Sequence, residues 1–276
     1  MILGVRHLLE EAGDDSVLVI PACCASVVQG VYPYTAFDVP VVNTAFAAGP
    51  STASGVGMAI ERQDADTNVI VLAGDGGTSD IGLASLSGAL ERDEDFLYVL
   101  YDNEAYSNTG FQKSGRTPPG ARTTTTPTGR VGRQKDIAQI VEAHDPAFMA
   151  TASPAFLQDL RRKTVEGLEA DGPGFIHMHS PCPPGWRMDT SETIDVAKAA
   201  IKSGLWVLYE RRRGGQFQIN QPSKAAFKKP GEVEDYVEPQ GRFDTAKVSD
   251  IEELRKQAEA NIEHFGQYID REVASQ

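Results

Sequence analysis

Asp75 and Asn103 carry the most legible chemistry in this sequence. Asp75 stands in Gly74-Asp75-Gly76-Gly77, where glycines let backbone approach a ligand closely, and Asn103 follows 28 positions later. An acid, an amide oxygen and free backbone carbonyls suit Mg²⁺ held jointly with a phosphorylated cofactor, because a hard cation takes oxygen ligands and keeps some from phosphate. GDGG alone fits a tight turn equally well. The pattern around it favours a site.

Two short apolar runs, 69–73 and 96–101, read as buried strands of a parallel sheet covered on both faces, with a glycine turn and a helical segment through Leu90 between them. Their following loops then open at one edge, the carboxyl end, where such sheets bind ligands. The pattern predicts further strands at 17–21, 147–152 and 174–179, with a strand-like piece at 206–210. Helices are expected at 2–12, 136–142, 154–169, 193–203 and 249–269, the last with Ser249 and Glu252 at capping-box spacing. The stretch 45–60 is rich in Ala, Gly and Ser, with Pro50 suited to a first helical turn. The proline- and threonine-rich 115–132 reads as an ordered loop, and 211–248 as a polar arm outside the core.

A net charge of −13 excludes a nucleic-acid binder that depends on a basic face, and Arg211-Arg212-Arg213 reads as a solvated turn. No apolar run is long enough to span a membrane, and the acidic start MILGVRHLLEEAGDDS is no secretory signal, so the chain reads as soluble and cytoplasmic. Cys23, Cys24 and Cys182 do not form a secreted disulfide framework. Cys24 and Cys182 each follow a strand at its carboxyl end, and Cys23 reads as a packed residue. His177 and His179 share one strand face and read as structural histidines.

The spacing of GDG to the Asn-containing turn resembles the thiamine diphosphate (ThDP) motif. The strings GDGGTSDIGLASLSGALER and YDNEAYSNTGFQKSGRTPPGARTTTTPTG resemble the beta subunit of 2-oxoacid:ferredoxin oxidoreductases, most closely the pyruvate type. VYPYTAFDVP, PCPPGWR and EDYVEPQGRF extend the resemblance to about Phe243. It implies an α/β fold, a doubly wound, mostly parallel ThDP-binding domain over 1–205, with a C-terminal extension over 206–276 for subunit contacts. It also implies that Asp75, the Asn103 side chain and the Ala105 carbonyl bind Mg²⁺. Gly74, Gly76 and Gly77 would face the diphosphate, Tyr106 and Thr109 would line the cofactor, and Asn108 would lie catalytically near its reactive carbon. The helix opening after Asp80 would favour the anion.

The family holds a [4Fe–4S] cluster through four thiolates. Cys24 and Cys182 match two of them, while the C-x-x-C pair expected at or before Met1 is absent. A lost N-terminal segment, a lost cluster and a modified cluster all stay open. The implied activity is oxidative decarboxylation of a 2-oxoacid, pyruvate first, to acyl-CoA and CO₂, with electrons passing to ferredoxin. Alpha and gamma/delta-type subunits would be partners, supplying the missing glutamate for the aminopyrimidine, so the chain alone is expected to be inactive. A non-redox ThDP decarboxylase or synthase, or a related enzyme of oxalate or branched-chain oxoacids, is the alternative; a nucleotide-binding or structural module is a third. Asn43 and Ala48 depart from the family's usual His and acid and leave the oxoacid open.

Overall fold

The computed structural model describes residues 1–274, with side chains through Ile269. The strands are β1 (Ser16–Pro21), β2 (Val41–Thr44), β3 (Asn68–Gly74), β4 (Leu97–Asp102), β5 (Phe148–Ala152), β6 (Gly174–His179), β7 (Tyr209–Arg212) and β8 (Gln218–Ile219). The helices are α1 (Ile2–Ala12), α2 (Cys24–Gln29), α3 (Gly49–Glu61), α4 (Leu83–Glu91), α5 (Ile137–Glu142) and α6 (Leu157–Leu168). They continue with α7 (Pro183–Trp186), α8 (Thr193–Lys202), α9 (Gln221–Lys228), α10 (Glu234–Val237) and α11 (Val248–Ala274).

Among the described residues, eight strands form one sheet in the order β2-β1-β3-β4-β6-β5-β7-β8. The first six are parallel, and β7 and β8 add antiparallel at one edge. Alternation within the strands feeds two apolar layers: Leu18, Ile70, Leu72 and Val99 pack toward α1, while Val19, Val71, Tyr98 and Leu100 pack toward α3 and α4. Because both faces are covered, the strands read as continuous apolar runs. The chain reverses direction across the sheet between β1 and β3, so their carboxyl ends form the crevice where doubly wound sheets take ligands. Among the described residues no helix is long and apolar enough to cross a membrane.

Several expectations need correction. No glycine turn separates β3 from a helix opening after Asp80: Asp75 already has helical backbone angles, and Gly76–Asp80 form a π-helical turn leading into α4. Flexible glycines permit that wide turn, which brings the first free amide groups to Gly76 and Gly77. Strand β4 ends one residue later than expected and takes in Asp102.

The 211–248 stretch is not an arm. Phe217, Ile219, Val233, Tyr236, Val237 and Phe243 are buried in it. Arg212 and Arg213 are exposed as expected, but Arg211 and Arg212 end strand β7, and all three arginines pair with acids distant in sequence, Asp145, Glu166 and Asp93. The last helix starts at Val248, with Asp250 Oδ2 accepting the Lys247 N–H at 2.8 Å, so Ser249 is not its cap.

Candidate functional site

One cavity of about 200 Å³ at the carboxyl edge gathers most of the residues singled out above. The β3 end contributes Gly74, Asp75, Gly76 and Gly77, and the loop after β4 contributes Asn103, Ala105, Tyr106, Asn108 and Thr109. Cys24, with Cys23, forms the wall after β1; Cys182 is not on the lining. Phe46, which nothing in the sequence marked, completes it.

The glycines are fixed by close approach. A Cβ on Gly76 would lie 2.3 Å from the Tyr106 ring, and one on Gly77 would lie 3.0 Å from Phe46. Any side chain there would fill the cradle. The backbone amides at the start of this helical turn are unpaired by geometry and face an anion favourably.

Asp75 is 1 % exposed and has no ion pair among the described residues; its Oδ2 accepts a short hydrogen bond from Ser114 Oγ. Burial, then the negative charge of Asp102, pushes its carboxyl well above the ordinary range. A buried carboxylate with no countercharge is costly unless a cation joins it.

Two other oxygens point at the same spot. Asn103 Oδ1 accepts from Ser107 Oγ at 2.6 Å. With the amide turned over, the nitrogen in that place would donate to Ala105 O at 2.9 Å and Asp75 Oδ1 at 3.1 Å. Neighbouring oxygens around an octahedral Mg²⁺ lie about 3 Å apart, from metal–oxygen distances of about 2.1 Å. The donor set therefore fits a hard cation through Oδ1.

The loop that carries Asn103 is clamped from four sides. Asp102, fully buried, accepts from Arg116 Nε at 2.7 Å and pairs with His177 Nε2 at 2.8 Å, while its Oδ1 takes the Glu104 N–H at 3.0 Å. Burial alone would raise its pKa, but Arg116 and His177 outweigh burial and hold the carboxyl below the ordinary range. Trp186 Nε1 donates to Asn103 O at 2.9 Å, and Arg242 stacks on Trp186 at 3.7 Å while pairing with Glu104 at 2.6 Å. Thr117 Oγ1 donates to Glu104 O at 2.6 Å. Glu104 needs this restraint, because it holds a left-handed φ of 62° without being glycine.

Asp102, Ser114, Asp80, Trp186 and Arg242 were not singled out from the sequence. Trp186 and Arg242 lie in PCPPGWR and EDYVEPQGRF, so those strings buttress the Asn103 loop. His177 and His179 are buried on one face with Trp206, as expected of structural histidines, and burial pulls His179 down to about 3.

On the opposite wall Cys24 is pushed up to about 11, by burial first and then by Cys182. The Met1 amino group lies near both thiols and is lowered by burial. Among the described residues no group of three or more His, Cys, Asp or Glu side chains could hold a metal. Two thiols do not make a [4Fe–4S] ligand set.

Close-packed glycines beside three converging oxygens, at a doubly wound sheet's crevice, suit a phosphorylated cofactor held with a hard cation, the arrangement of the thiamine diphosphate enzymes. Residues 22–178 match the thiamine pyrophosphate enzyme family's C-terminal TPP binding domain. The chain is 41% identical over 265 residues to ketoisovalerate oxidoreductase subunit VorB of Pyrococcus furiosus, covering 92% of this chain and 84% of that one. It is 40% identical over 275 residues to pyruvate synthase subunit PorB of Methanosarcina barkeri, covering 95% and 91%. The chain belongs to the beta subunits of the 2-oxoacid:ferredoxin oxidoreductases. It shares its fold with 2-oxoglutarate:ferredoxin oxidoreductase from Magnetococcus marinus, with a TM-score of 0.59, 20% identity, and coverage of 87% and 84%.

Proposed function

We propose that this chain anchors ThDP through Mg²⁺ and, with its partner subunits, serves the oxidative decarboxylation of a small 2-oxoacid, pyruvate first, to acyl-CoA and CO₂, with ferredoxin taking the electrons. The convergence of Asp75 Oδ1, Asn103 Oδ1 and Ala105 O beside the Gly76–Gly77 cradle carries the reading. When bound, ThDP supplies the carbanion-stabilising chemistry that a 2-oxoacid needs to lose CO₂.

The chain's own residues bind and orient. Asp75, Asn103 and Ala105 hold the metal; Gly76 and Gly77 offer amides to the diphosphate; Tyr106, fixed by donation to Asp80 at 2.7 Å, walls the cradle. Asn108, on the cavity lining, orients the oxoacid at the mouth. Cys24 and Cys182 would contribute two thiolates to a [4Fe–4S] cluster. The 206–276 segment would contact partner subunits.

Relatives named for pyruvate and for ketoisovalerate match this chain almost equally, which supports a branched-chain oxoacid as the second reading. Coenzyme A-dependent ferredoxin reduction by the assembled complex, with pyruvate against 2-oxoisovalerate, separates them by kcat/KM. Iron analysis of the same complex with Cys24→Ser and Cys182→Ser tests the thiols: iron unchanged in both variants removes them from any cluster.

A further inference from the structure

Behind the Tyr106 wall lies another cavity, of about 450 Å³, which shares only Tyr106 with the first. Four cations, Lys113, Arg130, Arg133 and Lys135, line it against one acid, Asp80. Asp80 is already engaged, accepting from Lys135 Nζ at 3.0 Å, from the Gly115 N–H at 2.8 Å and from Tyr106. The side chains of Lys113 and Arg133 have no hydrogen bond or ion pair among the described residues.

Arg130 is the informative member. It is 8 % exposed, yet it meets no carboxylate: Nη1 donates to Gly115 O at 3.0 Å and to Thr117 O, Nη2 donates to Arg133 O, and Nε is buried without a partner. Backbone dipoles hold its fork in place but leave its charge uncompensated, a costly arrangement that a bound anion would relieve. In a chain of net charge −13 this is a local excess of three positive charges around one opening. Clefts of one sign concentrate ligands of the other, and fixed guanidinium and ammonium groups suit tetrahedral oxyanions.

We infer that this pocket is an anion subsite for a phosphate or diphosphate ester, separate from the cofactor's own diphosphate and divided from it by Tyr106. That chemistry has two sources, free inorganic phosphates and the phosphorylated end of a co-substrate such as coenzyme A.

The test uses the assembled complex loaded with ThDP and Mg²⁺, so that the cofactor cradle is filled. Calorimetric titration with inorganic pyrophosphate and with adenosine 3′,5′-diphosphate should show binding that weakens with salt. Lys113→Gln and Arg133→Gln, both exposed, should each weaken it about tenfold, as expected for one charge-assisted contact. A coenzyme A KM raised in these variants, with the KM for phosphate-free pantetheine unchanged, assigns the site to the co-substrate. Unchanged coenzyme A KM with weakened pyrophosphate binding assigns it to free phosphates. Only this KM comparison rests on the activity proposed above; the calorimetry stands without turnover. No salt-sensitive binding to the wild-type complex, or equal binding to the double variant, overturns the inference.

Discussion

Asp102 ends β4 and Asp75 directly follows its parallel neighbour β3; both are almost fully buried, and they differ in one respect. Asp102 meets Arg116 and His177 within 2.8 Å, whereas Asp75 meets a hydroxyl. The same residue type at adjacent strand ends thus does two jobs. The compensated carboxylate fixes the Asn103 loop, and the uncompensated one is the proposed ligand of the cation. Burial is common to both; the countercharge decides which one belongs to the structure and which to the ligand.

The largest way to break this contrast is Asp75→Ala, which should remove Mg²⁺-dependent ThDP binding by the assembled complex, a loss beyond the roughly 10–100-fold cost of a supporting residue. The metal-free protein should be no less stable for it, because a buried charge without a partner has gone. Asp102→Asn should do the reverse, destabilising the chain by about 3–5 kcal/mol in denaturant titration, since Arg116 and His177 are left buried and unpaired.

The two acids should also give opposite pH dependences in the metal-free chain. Asp75 has a raised folded pKa, so its favourable contribution is full below 3.8 and is lost as pH rises through the raised value. Asp102 has a lowered one, so its contribution is present above 3.8 and is lost as pH falls through the lowered value. Stability curves of Asp75→Asn and Asp102→Asn subtracted from wild type should therefore slope in opposite directions; parallel curves would refute the contrast.

Arg242→Met probes the clamp at longer range. With Glu104 unpaired at its left-handed φ, cofactor affinity should fall roughly 10–100-fold, with kcat restored at saturating ThDP and Mg²⁺. An unaltered ThDP titration would reduce Arg242 to packing. The smallest effect belongs to Ser114→Ala, about 1 kcal/mol on cofactor binding, because it removes one hydroxyl from a ligand that keeps its metal.

Much of this was legible in the sequence. The parallel strands announced themselves as short apolar runs, and glycines with one acid marked the cradle. Asn103 was legible because a strand and a helix placed it on the same edge as Asp75. Long-range partners were not. Arg116, His177 and Arg242 reach the Asn103 loop from 13 to 139 positions away, and no local pattern encodes those meetings. The 211–248 stretch hid its role for a related reason: its polar and proline-rich composition concealed a few buried aromatics that only the closed fold brings together.

Asp75, buried and without a countercharge, is the proposed acid that a cation completes. Calorimetric titration of ThDP into the assembled complex, with and without Mg²⁺, on wild type and on Asp75→Asn, tests it most directly. Tight binding by wild type only with Mg²⁺, and none by the variant, is the expected result. Equal ThDP binding by both, or binding that ignores Mg²⁺, would contradict it.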